Sequence, residues 1–200
     1  MRHTKYHLFL IALFFYQFGM GYNLKNIELS AQKNLIPKPT VDYLLNYFKK
    51  NELLIKNKNY VTFVDFRKPS TEDRMILINT ETGQSEKYLV AHGRNSGDVY
   101  AEKFSNKTDS KMSSLGLFIV GEKYQGENGT SLHLIGLNET NSNAADRGIV
   151  IHYADYVSKN WANEQGRIGR SWGCFALNKN DFLNQILQKI KGGSLMIAFK

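Results

Sequence analysis

The chain has 200 residues, 42% of them hydrophobic and 22% charged, a balance that excludes a disordered polymer and suits one domain with its own core. Its single cysteine, Cys174, excludes an intramolecular disulfide framework. With 26 Lys and Arg against 18 Asp and Glu the formal charge is +8, which favours anionic partners: wall polymers, lipid headgroups, peptide carboxylates or nucleic acid.

At the amino terminus Arg2 and Lys5 precede an apolar run over 8–18, and Gly19-Met20-Gly21 supplies a small-x-small sequence. The pattern predicts a secretory signal peptide over 1–21, too short to span a bilayer comfortably, with a retained anchor as the alternative. No cysteine follows it, so no lipid anchor is expected. Its removal takes Arg2 and Lys5 from the 26 basic residues and leaves +6. Export to the periplasm or cell envelope argues against nucleic acid as a partner, and no nucleic-acid motif is present. No membrane span is expected after cleavage.

Residues 22–39, polar and carrying Pro37 and Pro39, read as a linker before a domain over 40–200. Thr40 is placed to cap a helix whose apolar Val41, Leu44, Leu45 and Phe48 recur with helical spacing and pack outside the sheet. Strands are predicted at 60–66, 75–78 and 87–91, the last two bracketing the turn sequence Glu81-Thr82-Gly83-Gln84. Four more follow at 117–120, 132–137, 149–151 and 195–199, and a helix over 181–191 stops at Gly192-Gly193. Many short strands with few helices predict a mainly β fold, a β-sandwich or distorted barrel with a few peripheral helices.

The polar stretch between His92 and Leu117 has no periodicity, and loops of that length in compact domains are usually functional or disordered; its Gly and Ser content suits a substrate-facing wall. His92, where strand meets loop, either lines a substrate cleft or bonds to loop backbone. His133 alternates with Leu132 and Leu134 and so faces away from their side. His152 ends the apolar run Gly148-Ile149-Val150-Ile151, where a strand emerges at its carboxyl end and a side chain can face a cleft.

Cys174 lies in Gly169-Arg170-Ser171-Trp172-Gly173-Cys174-Phe175-Ala176-Leu177. A lone thiol is a core residue, an intermolecular bridge or a reactive thiolate, and its neighbours favour the last. Gly173 permits a sharp turn at which adjacent amides converge on one oxygen. Arg170 adds a positive charge that favours thiolate or holds a carboxylate. His152 is the best-placed base. A zinc peptidase using His152, Asp155 and His133 is a weaker reading because no ligand motif completes the set. A non-catalytic wall-binding module is another.

The segment 152–177, with His-Tyr-Ala-Asp-Tyr-Val-Ser leading into Gly-Arg-Ser-Trp-Gly-Cys-Phe-Ala-Leu, resembles the L,D-transpeptidase catalytic domain family (YkuD-like), and within it the murein L,D-transpeptidase-like subgroup. The likeness extends back through Val90-Ala91-His92-Gly93, Phe104-Ser105-Asn106, Ser113-Ser114-Leu115-Gly116 and Ser131-Leu132-His133-Leu134. One departure stands out: where the wider family has Ser-His-Gly-Cys, Trp172 replaces the histidine, and no role carries over to it. The resemblance implies the L,D-transpeptidase fold, Cys174 as nucleophile, His152 as base, and backbone amides at Gly173 and Cys174 as oxyanion donors. Ser171, Arg170, Trp172 and His92 would contact or position substrate. It implies no cofactor and no metal. The substrate would be a peptidoglycan stem peptide, and a thioester on Cys174 would be resolved by an amine of a second stem or of an envelope protein. Water as acceptor would make the protein an L,D-carboxypeptidase instead.

Overall fold

The structure, a computed structural model, describes residues 21–200, so the signal sequence expected over 1–21 lies outside the described residues except for Gly21. Among the described residues no helix is long and apolar enough to cross a membrane. The described residues form eight strands: β1 (Tyr60–Asp65), β2 (Met75–Asn79), β3 (Ser85–Tyr88), β4 (Gly116–Gly126), β5 (Gly129–Gly136), β6 (Val150–Tyr153), β7 (Phe175–Leu177) and β8 (Ser194–Phe199). They form one sheet in the order β3-β2-β1-β8-β4-β5-β6-β7, antiparallel except for β1 with β8 and β6 with β7.

The two edges of that sheet meet. Past β3 the chain continues to β7, where Val90 bridges Leu177, the Ala91 amide donates to the Ala176 carbonyl at 2.8 Å, and Gly93 bridges Ser171. The sheet is therefore a nearly closed, distorted barrel, which leaves little unpaired edge. Side-chain alternation separates its two faces. Val64, Leu77, Phe118, Leu132, Ile151 and Met196 point inward, where Phe182, Ile186 and Ile190 from the helical segment after β7 join them. Val61, Phe63, Ile76, Ile78, Leu195 and Ile197 point outward beneath two helices. The segment after β7 is α-helical over Lys179–Asp181, π-helical over Phe182–Ile186 and α-helical over Leu187–Ile190.

The outer helices correct one expectation. Residues 22–39 are not a linker: α1 (Leu24–Lys33) occupies the middle of the stretch and α2 (Lys38–Lys50) begins inside it. Asn23 caps α1 by accepting the Lys25 amide at 2.9 Å, and Ile27 and Ala31, one turn apart, are fully buried against the sheet. Leu24, Ile27 and Ala31 follow the helical i, i+3, i+7 spacing, a short period that the surrounding polar residues mask in the sequence. The prolines, which suggested a linker, start α2, with Pro37 as its N-cap and Pro39 in its first turn. Thr40 lies inside the helix and does not cap it. A third helix, α3 (Lys159–Gln165), is capped by Ser158, whose hydroxyl accepts the Trp161 amide at 3.1 Å.

Candidate active site

Strands β6 and β7 run parallel, with Ile151 opposite Phe175 and His152 opposite Ala176. Cys174 precedes Ala176 by two residues, so it faces the same side of the sheet as His152, one diagonal step away. Both line a cleft of about 510 Å³ together with Glu127, Asn128, Tyr156 and Trp172. Glu127 and Asn128 form the tip of the β4–β5 hairpin, whose bulge between Val120 and Lys123 bends it. A larger groove of about 710 Å³ lies beyond Gly148 and Ile149 and holds His133, exposed and stacked on Tyr124 at 4.0 Å. It is the roomier of the two but offers no thiol, whereas the smaller cleft holds both Cys174 and His152.

His152 is nearly buried, and its Nδ1 lies 2.9 Å from the Tyr153 carbonyl oxygen. A carbonyl only accepts, so Nδ1 carries the proton and Nε2 keeps its lone pair in the neutral ring. Burial lowers the pKa of His152, against the pull of that carbonyl. Burial likewise raises the Cys174 thiol, opposed by the Val150 amide, the charge of Arg147 and its own amide. The thiol donates to the Gly148 carbonyl at 3.5 Å. The resting pair is thus a neutral thiol beside a neutral imidazole, not the thiolate that the flanking Arg170 led the sequence reading to expect.

Arg170 has another occupation. Its Nη1 donates to the Gly97 carbonyl at 2.9 Å and lies 3.1 Å from Asp98, which also pairs with Arg167 at 2.7 Å. Arg170 still lines the cleft, but a carboxylate already offsets its charge. The cation that bears on the thiol is Arg147, which the sequence reading passed over. Its only sequence signal was an arginine at the mouth of the strand that ends in His152.

Ser171 and Gly173 shape the turn. The Ser171 hydroxyl donates to the Cys174 carbonyl at 2.6 Å and accepts the Gly173 amide at 3.1 Å. Ser171 therefore braces the backbone of Cys174, and the Gly173 amide, expected to serve an oxyanion, is already engaged. Gly173 itself is required by conformation and space. Its φ is +126°, and a Cβ there would sit 2.8 Å from the Met112 carbonyl and 2.7 Å from Ile149 Cδ1.

His92 does not reach the cleft. It is fully buried, its Nδ1 2.7 Å from an Nη of the fully buried Arg74. Burial, followed by the charge of Arg74, pushes its pKa down to about 4. The loop start that suggested a cleft position is instead the barrel seam, where Gly93 pairs with Ser171. Trp172, by contrast, is 67% exposed, with Lys111 Nζ 4.6 Å from its ring centre. Burying little and bonded weakly, it contributes little to folding. Trp172→Ala is expected to change stability by less than about 0.5 kcal/mol; a melting temperature lowered by several degrees would make it a structural residue.

A family model for the L,D-transpeptidase catalytic domain matches residues 32–199. A comparison with curated proteins returned no match. Among solved structures, an L,D-transpeptidase from Mycobacterium smegmatis aligns at 13% identity and TM-score 0.44 over 71% of this chain and 59% of that one. The helical cell shape determining protein Pgp2 from Campylobacter jejuni aligns at 14% identity and TM-score 0.45 over 80% and 55%. An L,D-transpeptidase from Stackebrandtia nassauensis aligns at 15% identity and TM-score 0.42 over 87% and 76%. The chain spans about three fifths of the length of the first two. With the family model covering the chain from the end of α1 through β8, including the strand of His152 and the turn of Cys174, this chain belongs to the L,D-transpeptidase catalytic domain family.

Proposed function

We propose that this protein is an exported cysteine acyltransferase that acts on peptidoglycan stem peptides and forms L,D cross-links through a thioester on Cys174. The observation that carries the reading is the placement of Cys174 and His152 in one cleft, with Nδ1 of His152 tied to a carbonyl and Nε2 left as base. In the acylation step the Sγ proton passes to Nε2 as sulfur bonds the donor's carbonyl carbon. The Cys174 amide, which acts on its own sulfur at rest, is the donor assigned to the developing oxyanion, an interaction of about 3–4 kcal/mol in other acyl-transfer sites. Collapse breaks the C–N bond, and the imidazolium returns its proton to the departing D-residue's amine. An amine then attacks the thioester, releasing the thiol. Because thiol and imidazole are neutral at rest, the proton moves when the donor arrives and not before.

The basic surface left after signal removal, +6, suits an anionic wall. Mass spectrometry of purified tetrapeptide stems incubated with the mature protein tests the reading. A Cys174 adduct with release of the terminal D-residue and a cross-linked product is expected. Release without cross-link would identify water as the acceptor and a carboxypeptidase, and unchanged stems with no adduct would refute acyl transfer. By the same chemistry a carbapenem is expected to acylate Cys174. The export reading predicts a mature chain beginning near Tyr22 in the envelope fraction, and full-length chain in the cytosol would overturn it.

A further inference from the structure

The long segment between Gly93 and Leu115 lacks helix and strand yet lies directly on the nucleophile's turn. Arg147 holds it there. One Nη donates to the Ser105 carbonyl at 2.7 Å, and the other to the Met112 carbonyl at 2.6 Å and the Ser110 hydroxyl at 3.1 Å. Met112 is the residue whose carbonyl stands where a side chain on Gly173 would go, and the second Nη lies 3.3 Å from the same point. One guanidinium thus joins the loop wall, the Gly173 turn and the entry to β6.

Its partners are two carbonyls and a hydroxyl, all uncharged. Among the described residues no carboxylate offsets Arg147, whereas Asp98 offsets Arg170. The other ionisable groups around the thiol's cleft are Glu127, His152, Tyr156 and Arg170, with Lys111 on Trp172 at its rim. Of these His152 is neutral at rest, and burial, joined in alkali by the charge of the ionised Cys174, pushes Tyr156 up to about 12, so it stays neutral too. A half-buried cation with only neutral partners projects its full charge into a site shielded from water.

We propose that Arg147 is the positioning residue of this active site: it clamps the 105–112 wall over Gly173 and supplies the positive field that stabilises the Cys174 thiolate as it forms. The inference deepens the acyl-transfer reading and rests on it for its catalytic meaning, but the charge effect on the thiol stands without any donor. The clamp and the field separate by substitution. Lysine keeps the charge but loses the fork that spans Ser105 and Met112; methionine loses both; glutamine keeps an amide donor and loses the charge.

The experiment is alkylation of Cys174 by iodoacetamide across pH in the mature protein, with donor kinetics alongside. Arg147→Met is expected to move the thiol's titration upward and to slow alkylation at neutral pH about tenfold, the effect of a one-unit shift. Arg147→Lys is expected to hold the titration near wild type while raising the donor KM. Arg170→Met is expected to leave the titration in place because the charge that bears on the thiol is that of Arg147, while Arg170 is held toward Asp98. Should Arg147→Met not fold, Arg147→Gln carries the same expectation. A folded charge-free variant whose titration superimposes on wild type overturns the proposal, as does a shift produced by Arg170→Met and not by Arg147. If the titration shifts as expected but wild type forms no adduct with stems, the acyl-transfer reading fails and the role of Arg147 stands.

Discussion

Cys174→Ala protein incubated with tetrapeptide stems forms no thioester and releases no terminal residue, since no other thiol exists in the chain. His152→Gln retains the thiol and loses the base, so it turns over about 10²–10⁴-fold more slowly, the usual worth of general-base catalysis. The two variants also differ in pH response. Burial lowers His152, so wild-type turnover should persist below the ordinary imidazole range before its acidic limb appears. Burial raises the thiol, so free enzyme should alkylate slowly at neutral pH and faster in alkali. Rapid alkylation of the free enzyme near pH 6, lost in His152→Gln, would instead reveal a standing thiolate–imidazolium pair. Turnover by Cys174→Ala would remove the cysteine from the mechanism altogether.

The barrel and the turn that carries Cys174 were legible because both write themselves locally. Strands β1, β2 and β8 alternate between two buried faces and read as continuous apolar runs, and the Gly-Cys turn carries its own chemistry. What escaped notice depends on distant partners. Strand β7 has three residues, all buried, and exists because β6 and the seam segment pair with it. The charge partner of the thiol was assigned to Arg170 by proximity in sequence, yet Asp98, 72 residues away in the chain, claims that side chain. Arg147, 27 residues from Cys174, reaches the site through strand pairing that no periodicity announces. His92 looked like a cleft residue for want of its partner, since nothing in the sequence joins it to Arg74.

That buried pair gives the largest stability effect expected. Arg74 is fully enclosed; its guanidinium donates to the Val90 carbonyl through Nε at 3.0 Å and an Nη at 2.8 Å, to the Lys68 carbonyl at 3.1 Å, and to His92 Nδ1 at 2.7 Å. Burial lowers its pKa to about 9, which still leaves it charged at neutral pH. It ties the strand before the seam to the loop that carries His92, so Arg74→Met strands buried acceptors and should cost roughly 3–5 kcal/mol. An arginine only donates, so His92 must accept at Nδ1, and its proton sits on Nε2, which is buried and makes no hydrogen bond. A second proton has no place while Arg74 stays. Between about 6.5, the ordinary histidine value, and about 4, the unfolded chain binds a proton at residue 92 that the folded chain refuses. Stability therefore falls as pH drops through that window and levels off below it, by at most about 3 kcal/mol from this residue, with His152 acting in the same direction. Glutamine at 92 can accept from Arg74 without titrating. Urea midpoints of wild type are expected to decline from pH 7 to pH 4.5, and those of His92→Gln to decline less, so that the two converge or cross in acid. Parallel midpoints across the range would mean that His92 is protonated as easily in the fold as outside it, and that the Arg74 contact does not constrain it.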